Sequence, residues 1–446
     1  MPKPHLSLSL SLGILFAILP VLSPLWSQES APLRLTDCIQ YALDHHPEIK
    51  IARLQLADAE GQIRENTATG LPQISVGLNY QYFIQRPGIP ARAIGLPAPD
   101  GQKIFFNAVH SLAPSVSLNQ LLFSESYLTA LKAARTYRQY VQLQLAAVQK
   151  TLREQVTEAY LPALLVEENL RILEQNTANV EQLLRETEAT VKAGFAEQLD
   201  ADRLRLSLLT LRAERDNLRR QRDILLDALK MAMGMPVTQP IALSDNLDQL
   251  MSEYADVDPA APFSVEHRPE YAVLLKGREL NALQADLFRR PWMPTLVGFA
   301  QYQPGWQGGF GNESKWFFIP SAIAGISLSI NLWDSGLSRA RYDRARIAYQ
   351  TVEVQRERLE QAMLLEVETA RRQMISASER MQNQQQNLEL ARRIYETTQA
   401  KYKAGVGSSF ELIGAEQQMY TAQQALIQAR FDWLRARVAL KKALGK

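Results

Sequence analysis

Side chains able to do chemistry are few in this chain, and they do not gather. His45 and His46 are adjacent, and neighbours on a helix point to different faces, so the pair suits a structural role better than a shared metal. Cys38 is the one cysteine. It follows Asp37 rather than a small residue and opens an amphipathic pattern, which marks a buried hydrophobe rather than a lipid-attachment site. A single cysteine also excludes an intrachain disulfide. No Gly-x-Ser-x-Gly, His-Glu-x-x-His or phosphate loop occurs, and His and Cys form no cluster. No catalytic residue, metal site or cofactor is expected, and the chain is expected not to be an enzyme.

Charge excludes another class. The 49 basic and 47 acidic side chains nearly cancel, which leaves no footprint for nucleic acid. With 46% hydrophobic and 22% charged residues over 446 positions, the chain is expected to fold. Residues 1–28 read as a signal peptide: a weakly basic start at Lys3 and His5, an apolar run from Leu6 to Leu19, then Pro20, Pro24 and Ser27. That run is short for a bilayer span, and no later segment reaches the roughly 18 apolar residues of a membrane helix. Any passage through a membrane must therefore use strands.

The chain is written twice. His46-Pro47-Glu48 recurs as Arg268-Pro269-Glu270, Leu71-Pro72 as Met293-Pro294 and Tyr80 as Tyr302, all at an offset of 222 residues. Ser117-Leu118 and Leu122-Phe123 match Ser327-Leu328 and Leu332-Trp333 at 210. Lys192-Ala193-Gly194 and Gly234 match Lys403-Ala404-Gly405 and Gly445 at 211. Three ordered matches define a duplicated unit, with a shorter loop in the second copy. The expected organisation is a first repeat over 29–235, a linker over 236–262 rich in Pro and Asp, and a second repeat over 263–446.

Each repeat reads helix, strand, loop, strand, very long helix, turn, helix. The first predicts a helix from an N-cap at Thr36 to Thr69 and strands at Gln73–Phe83 and Ser111–Leu122. A long helix from Ser124 to Lys192 and a return helix from Glu197 to Met233 follow. The second predicts helices at Phe263–Arg290, Ser335–Lys403 and Ser409–Leu444, with strands at Thr295–Tyr302 and Ser321–Leu332. Leu145, Val148, Leu152, Val156, Ala159, Ala163, Val166, Leu170 and Leu173 step by threes and fours, the seam of helices packed along their length. Seventy residues at 1.5 Å each give roughly 105 Å, so such a helix needs parallel neighbours. Pro162 should kink it.

Strand patterning tells what the helices carry. Ile74, Val76, Leu78, Tyr80 and Tyr82 alternate with Ser75, Gly77, Asn79 and Gln81. Val116 and Leu118 alternate with Ser115, Ser117 and Asn119, and Ile326, Leu328, Ile330 and Leu332 with Gly325, Ser327, Ser329 and Asn331. Thr295–Tyr302 is ambiguous, because Val297 and Phe299 fall on its polar phase. A half-buried strand in a soluble sheet shows the same period. The polar faces here carry hardly a charge, however, and aromatics cluster at both ends. Tyr80, Tyr82, Phe83, Phe105, Phe106, Tyr302, Trp306, Trp316, Phe317 and Phe318 lie toward the loops, and Phe123, Trp292 and Trp333 toward the helices. That is the girdle of an outer-membrane barrel. Four strands cannot close one, and an open edge in lipid leaves backbone groups unpaired, so several chains must share it.

With these features the chain resembles the TolC family of outer-membrane efflux proteins across essentially the whole mature sequence. The residues that carry the resemblance are Leu35-Thr36 leading to His46-Pro47-Glu48, Leu71-Pro72, Ser117-Leu118 to Phe123, Ser327-Leu328 to Asp334-Ser335-Gly336, and the two Lys-Ala-Gly turns. It implies a membrane α+β fold: a homotrimer with a twelve-stranded β-barrel, four strands per chain, continuous with a long periplasmic α-helical barrel. It further implies docking to a periplasmic adaptor (membrane fusion) protein and an inner-membrane transporter, as a passive, gated exit duct in the outer membrane. Gly194 and Gly405 then mark the turns at the periplasmic tip. Asp200 and Tyr402 match a hydrogen-bonded lock, and Glu411 a carboxylate at the constriction. Gly407 and Gly414 depart from the pattern, standing where a basic lock residue and a second carboxylate can occur. Carboxylates in a helix's first turn also simply favour its dipole, which keeps a structural reading of Asp200 and Glu411 open. The alternative function is a periplasmic coiled-coil adaptor or structural protein, which would have no reason to place lipid-facing strands twice.

Overall fold

The computed structural model describes residues 32–97, 99–105, 107–309 and 315–445. The expected signal peptide at 1–28 and Phe106 lie outside them. The first half of the chain runs β1 (Pro32–Leu33), α1 (Leu35–His45), α2 (Pro47–Thr69) and β2 (Gln73–Tyr82). A loop holding β3 (Gly88–Pro90) and β4 (Lys103–Phe105) follows, then β5 (His110–Ser124), α3 (Glu125–Lys192) and α4 (Gln198–Met233). After β6 (Ala242–Leu243) and α5 (Leu247–Glu253), the second half runs α6 (Pro269–Arg289), β7 (Thr295–Gly308), β8 (Phe317–Ser329), α7 (Leu337–Lys403) and α8 (Ser409–Ala443). Among the described residues no helix is long and apolar enough to cross a membrane.

Two expected helices start or break elsewhere. The expected helix from Thr36 to Thr69 is two: Pro47 lacks an N–H and forces His46 into extended backbone, so α1 stops there and α2 begins. The N-cap is Arg34, not Thr36, and its N–H donates to the Asp37 carboxylate at 3.1 Å. In the second half the helix begins at Pro269 rather than Phe263. The repeated motif now has a physical reason. Gly234 and Gly445, which end α4 and α8 in left-handed conformation, abut the start of the next-packed helix: a Cβ would sit 3.0 Å from His46 at Gly234, and 3.1 Å from the His267 carbonyl and 3.3 Å from Arg268 at Gly445. Arg268, 6% exposed, donates to the carbonyls of Lys442 and Ala443, supplying the cation that a helix C-terminus favours. The segment between the halves is docked rather than loose: Asp245 accepts from Leu35 N–H and Tyr160 Oη, and Leu247 and Leu250 are buried.

The four long strands form one antiparallel sheet in the order β2-β5-β7-β8. Both halves contribute, and β2 and β8 are left as edges. Register sets one row as Val76, Val116, Tyr302 and Ala322, and another as Ile74, Leu118, Ala300 and Ala324. Tyr80, Leu112, Trp306 and Phe318 make a third. The opposite face carries Ser75, Ser117, Gln301 and Ile323, with Ser75 and Ser117 hydroxyls 2.7 Å apart. The ambiguous strand is thereby oriented: β7 presents Ala300, Tyr302, Pro304 and Trp306 to the apolar face. Phe299 covers Gly325 on the other, where a Cβ would lie 3.0 Å from the ring. A bulge between Leu121 and Phe123 returns Phe123 to the row of Leu296. β7 runs on to Gly308, and β8 starts at Phe317 and ends at Ser329, so Ile330 and Leu332 lie past the sheet, exposed. Toward the loops, His110 stacks between Tyr80 and Tyr82, and Trp306 meets Phe318 at 5.1 Å.

The sheet passes into the helices through short, stiff joints. Ser124 caps α3 through Tyr127 N–H, and Tyr127 packs over Gly70, where any Cβ would clash at 2.4 Å. Asp334 accepts from the N–H groups of Gly336 and Ser338, with Ser335 and Gly336 both at positive φ. The motif Asp334-Ser335-Gly336 is thus the turn that feeds strand into helix. Helix α3 continues through Pro162 over its 68 residues, roughly 100 Å at the standard rise. Helices α3 and α4 pair along their length, as do α7 and α8. One core joins α1, α3, α5, α7 and α8 midway along, around Tyr160, Met374 and Leu434. A second lies nearer the two hairpin tips, around Leu173, Leu184, Leu204, Leu412 and Tyr420.

Candidate functional site

The two hairpin tips have one construction. Helix α3 closes with Gly194 at φ 80° and α7 with Gly405 at φ 74°. Each next N–H turns back into the helix, from Phe195 to the Thr190 carbonyl and from Val406 to that of Lys401. This is the Schellman ending, in which positive φ selects glycine. Nothing crowds a Cβ at either position, so backbone conformation alone demands the residue. Gly407 is different: a Cβ there would sit 3.0 Å from the backbone nitrogen of Tyr402. That close approach to backbone crowds any side chain at this position. Phe195, Val406 and Phe410 stand exposed at the tips.

The expected site residues are brought to these tips, but their partners differ from those expected. Asp200, in the first turn of α4, accepts from the Ser409 hydroxyl in the first turn of α8. Arg203 donates to Ser409 Oγ at 3.3 Å and lies 3.9 Å from the Asp200 carboxylate. Tyr402 Oη sits 3.2 Å from Thr187 Oγ1 of α3, not on Asp200. At the tips of one chain the two hairpins are therefore tied from α4 to α8 through Asp200 and Ser409, and from α3 to α7 through Thr187 and Tyr402. Glu411 is exposed beside the turn, and its N–H donates to the Ser408 hydroxyl that caps α8. Sequence reasoning missed Ser409 and Thr187, which are 3% and 2% exposed. Their only sequence signal was a hydroxyl on a buried stripe.

The two hairpins are fastened differently along their length. Between α3 and α4, Arg205 pairs with Glu188 at 2.7 Å, Arg212 with Glu181 at 2.7 Å and Arg219 with Glu174 at 2.8 Å. These steps of seven run in opposite directions on the two helices. The Arg212 hydrogen bond holds the Glu181 carboxyl below its ordinary value. Exposed pairs contribute little singly, but a ladder fixes register. In α8 the corresponding positions are Glu416, Gln423 and Arg430, and none reaches α7 in this way. Gln423 instead accepts from Asn176 of α3 at 3.1 Å.

Glu416 is 8% exposed, and its Oε2 has no hydrogen-bond partner. Burial pushes its carboxyl up to about 7. A carboxylate on a seam of Leu412, Ala415 and Met419 was readable from the heptad spacing, and the sequence reading passed over it.

The other candidates resolve into structure. His45 stacks on Tyr41, and His46 caps α2 through Glu48 N–H. Cys38 is buried, and desolvation with Asp37 and Asp245 nearby pushes its thiol up to about 12. Among the described residues no three His, Cys, Asp or Glu side chains come together. A surface cleft of ≈ 1350 Å³ at the level of Pro162 is lined by charges of both signs, including Lys150, Glu154, Glu366 and Lys442, so it favours no single ligand.

Comparison with known proteins bears on the family and the fold. The family model described as "Outer membrane efflux protein" matches residues 38–235 and 266–446. The pyoverdine export outer membrane protein OpmQ of Pseudomonas aeruginosa is 28% identical over 306 residues. That match covers 67% of this chain and 62% of OpmQ, so it spans less than two thirds of that relative. The toluene efflux pump outer membrane protein TtgC of Pseudomonas putida is 23% identical over 428 residues, covering 94% of this chain and 84% of TtgC. The Campylobacter jejuni CmeC outer membrane channel superposes with a TM-score of 0.70 at 15% identity, over 99% of this chain and 94% of that one.

Proposed function

We propose a function from one premise: the chain belongs to the outer membrane efflux protein family. It is an outer-membrane channel component, and its role is to provide an exit duct for exported compounds. The observation that carries this reading is the sheet. Its apolar face is exposed from Ile74 through Tyr82 and along Phe318 to Leu328, a face that soluble monomers rarely leave uncovered. Lipid covers such a face without cost, and the aromatic cluster around His110 suits the interface. The edges β2 and β8 cannot remain unpaired in hydrocarbon. Three copies, β8 of one against β2 of the next, would close a twelve-stranded barrel of workable size. The helices would then close into a periplasmic barrel below it, and their length suits a conduit rather than a globular domain.

In this reading the duct is passive, and a periplasmic adaptor and an inner-membrane transporter supply recognition and energy. Relatives are named for pyoverdine and for toluene, and such unlike cargo fits a duct whose selectivity rests largely with its partners. The gate is assigned to the tips. Asp200, bound to Ser409, and Tyr402, bound to Thr187, hold the hairpins together, and Glu411 sets the charge at the mouth. A periplasmic coiled-coil adaptor is disfavoured, because it has no use for an exposed apolar sheet. Outer-membrane extracts provide the test: heat-resistant trimers that form ion-conducting pores in planar bilayers are expected. A monomer released in the soluble periplasmic fraction would refute the reading.

A further inference from the structure

Glu416 is a buried ionisable group that none of these roles uses. It lies one turn from Leu412 and one turn from Tyr420 on the same face of α8. Those two side chains are 1% and 5% exposed and pack in the cluster formed with Leu173, Val180 and Leu184 of α3. The carboxyl is therefore held in the seam where one hairpin meets the other. Polar residues seven before and seven after it on α8, Ser409 and Gln423, both find partners across that seam, in Asp200 and Asn176. Glu416 Oε2 finds none. Burial is the sole cause of its raised value, so no cation on α3, α4 or α7 offsets its charge. From α7, Tyr395 is the titratable side chain that feels Glu416, after its own burial. On α8, Tyr420 feels Glu214 of α4. An unpaired carboxylate in such a place is costly, whereas a neutral carboxylic acid is tolerated.

Resting on the channel reading above, we propose that Glu416 is a proton-operated latch: protonated, it lets α8 seat against α3 and α7, and ionised it drives α8 out of that seat and opens the tip. Across α7 and α8 a single ion pair, Arg380–Asp432 at 3.3 Å, stands in place of the three-rung ladder, so this is the hairpin freer to respond. The proton is taken up when α8 seats and returned to solvent when it leaves. The sign follows from linkage. The seated carboxyl has its value raised to about 7 from an ordinary 4.5. The latch is therefore fully engaged below about 4.5 and is lost as pH rises through about 7. Between pH 6 and pH 8 the seated-to-released ratio should fall roughly tenfold per chain.

The test uses the full-length assembly. Hydrogen exchange across residues 409–423, corrected for intrinsic rates, should be about tenfold slower at pH 6 than at pH 8. Glu416→Gln, neutral at both, should be slow and flat, and Glu416→Leu should behave alike, which covers the case that one variant fails to assemble. In planar bilayers the wild-type open fraction should rise from pH 6 to 8, and that of E416Q should not. A pH dependence that persists unchanged in both variants overturns the proposal. Absence of conductance alongside pH-dependent exchange would support the latch and refute the channel reading, so the two fail separately.

Discussion

A single arginine placed on either side of β2 tests the membrane assignment most directly. Val76 is 77% exposed in one chain and lies in the row Val76, Val116, Tyr302, Ala322, well inside the sheet. Val76→Arg would put a guanidinium into hydrocarbon, at about 2–4 kcal/mol near the bilayer midplane. Three copies in one barrel make that about 6–12 kcal/mol per assembly, comparable with the whole stability of an ordinary domain. Ser75→Arg changes the neighbouring residue but points into the lumen. It removes the Ser75–Ser117 hydrogen bond, a loss of about 1 kcal/mol or less at a wet site. Leu328 and Ser327 on β8 form a second such pair. The assay is the fraction of heat-resistant trimer in outer membranes, followed by single-channel recording of what assembles. V76R should lose most of its trimer, whereas S75R should keep it and alter conductance. Equal loss at both positions would refute the assignment of faces.

Three further outcomes can be checked. Tags within Arg86–Asn107 and Gln303–Lys315 should be reachable on intact cells, and access only after outer-membrane rupture would invert the topology. At the tips, Tyr402→Phe and Ser409→Ala each remove one tie between hairpins and should raise single-channel conductance. Glu411→Gln should lower cation preference with little change in pore size, and wild-type behaviour in all three would place the gate elsewhere. The Cys38 thiol, held up to about 12 by burial, should resist maleimide at pH 8 in the folded protein and react on denaturation; rapid native labelling would contradict its packing.

Periodicity and repetition made most of the architecture legible. A two-residue alternation with no charge on its polar side fixes which side chains of β2 share a face, because a strand offers only two. A seam of threes and fours fixes the stripe a long helix must bury, and the offsets of 222, 210 and 211 expose the duplication. Local rules also place the Lys-Ala-Gly turns, since only glycine takes positive φ at no steric cost.

What the sequence left open all depends on contacts between segments far apart in the chain. The face of β7 was ambiguous because Phe299 breaks its pattern, and only pairing with Gly325 shows why an aromatic is welcome there. Tyr402 bonds Thr187 rather than Asp200, because the two hairpins meet chiefly through α8 against α3, and that packing decides which side chains come within reach. Glu416 occupies the position of Arg205 one repeat earlier, yet the one is buried with Oε2 unpartnered while the other is exposed in a salt bridge. Repeats share backbone plans. The environment of each copy is set by which hairpin packs against which, and that is decided only when the chain closes on itself.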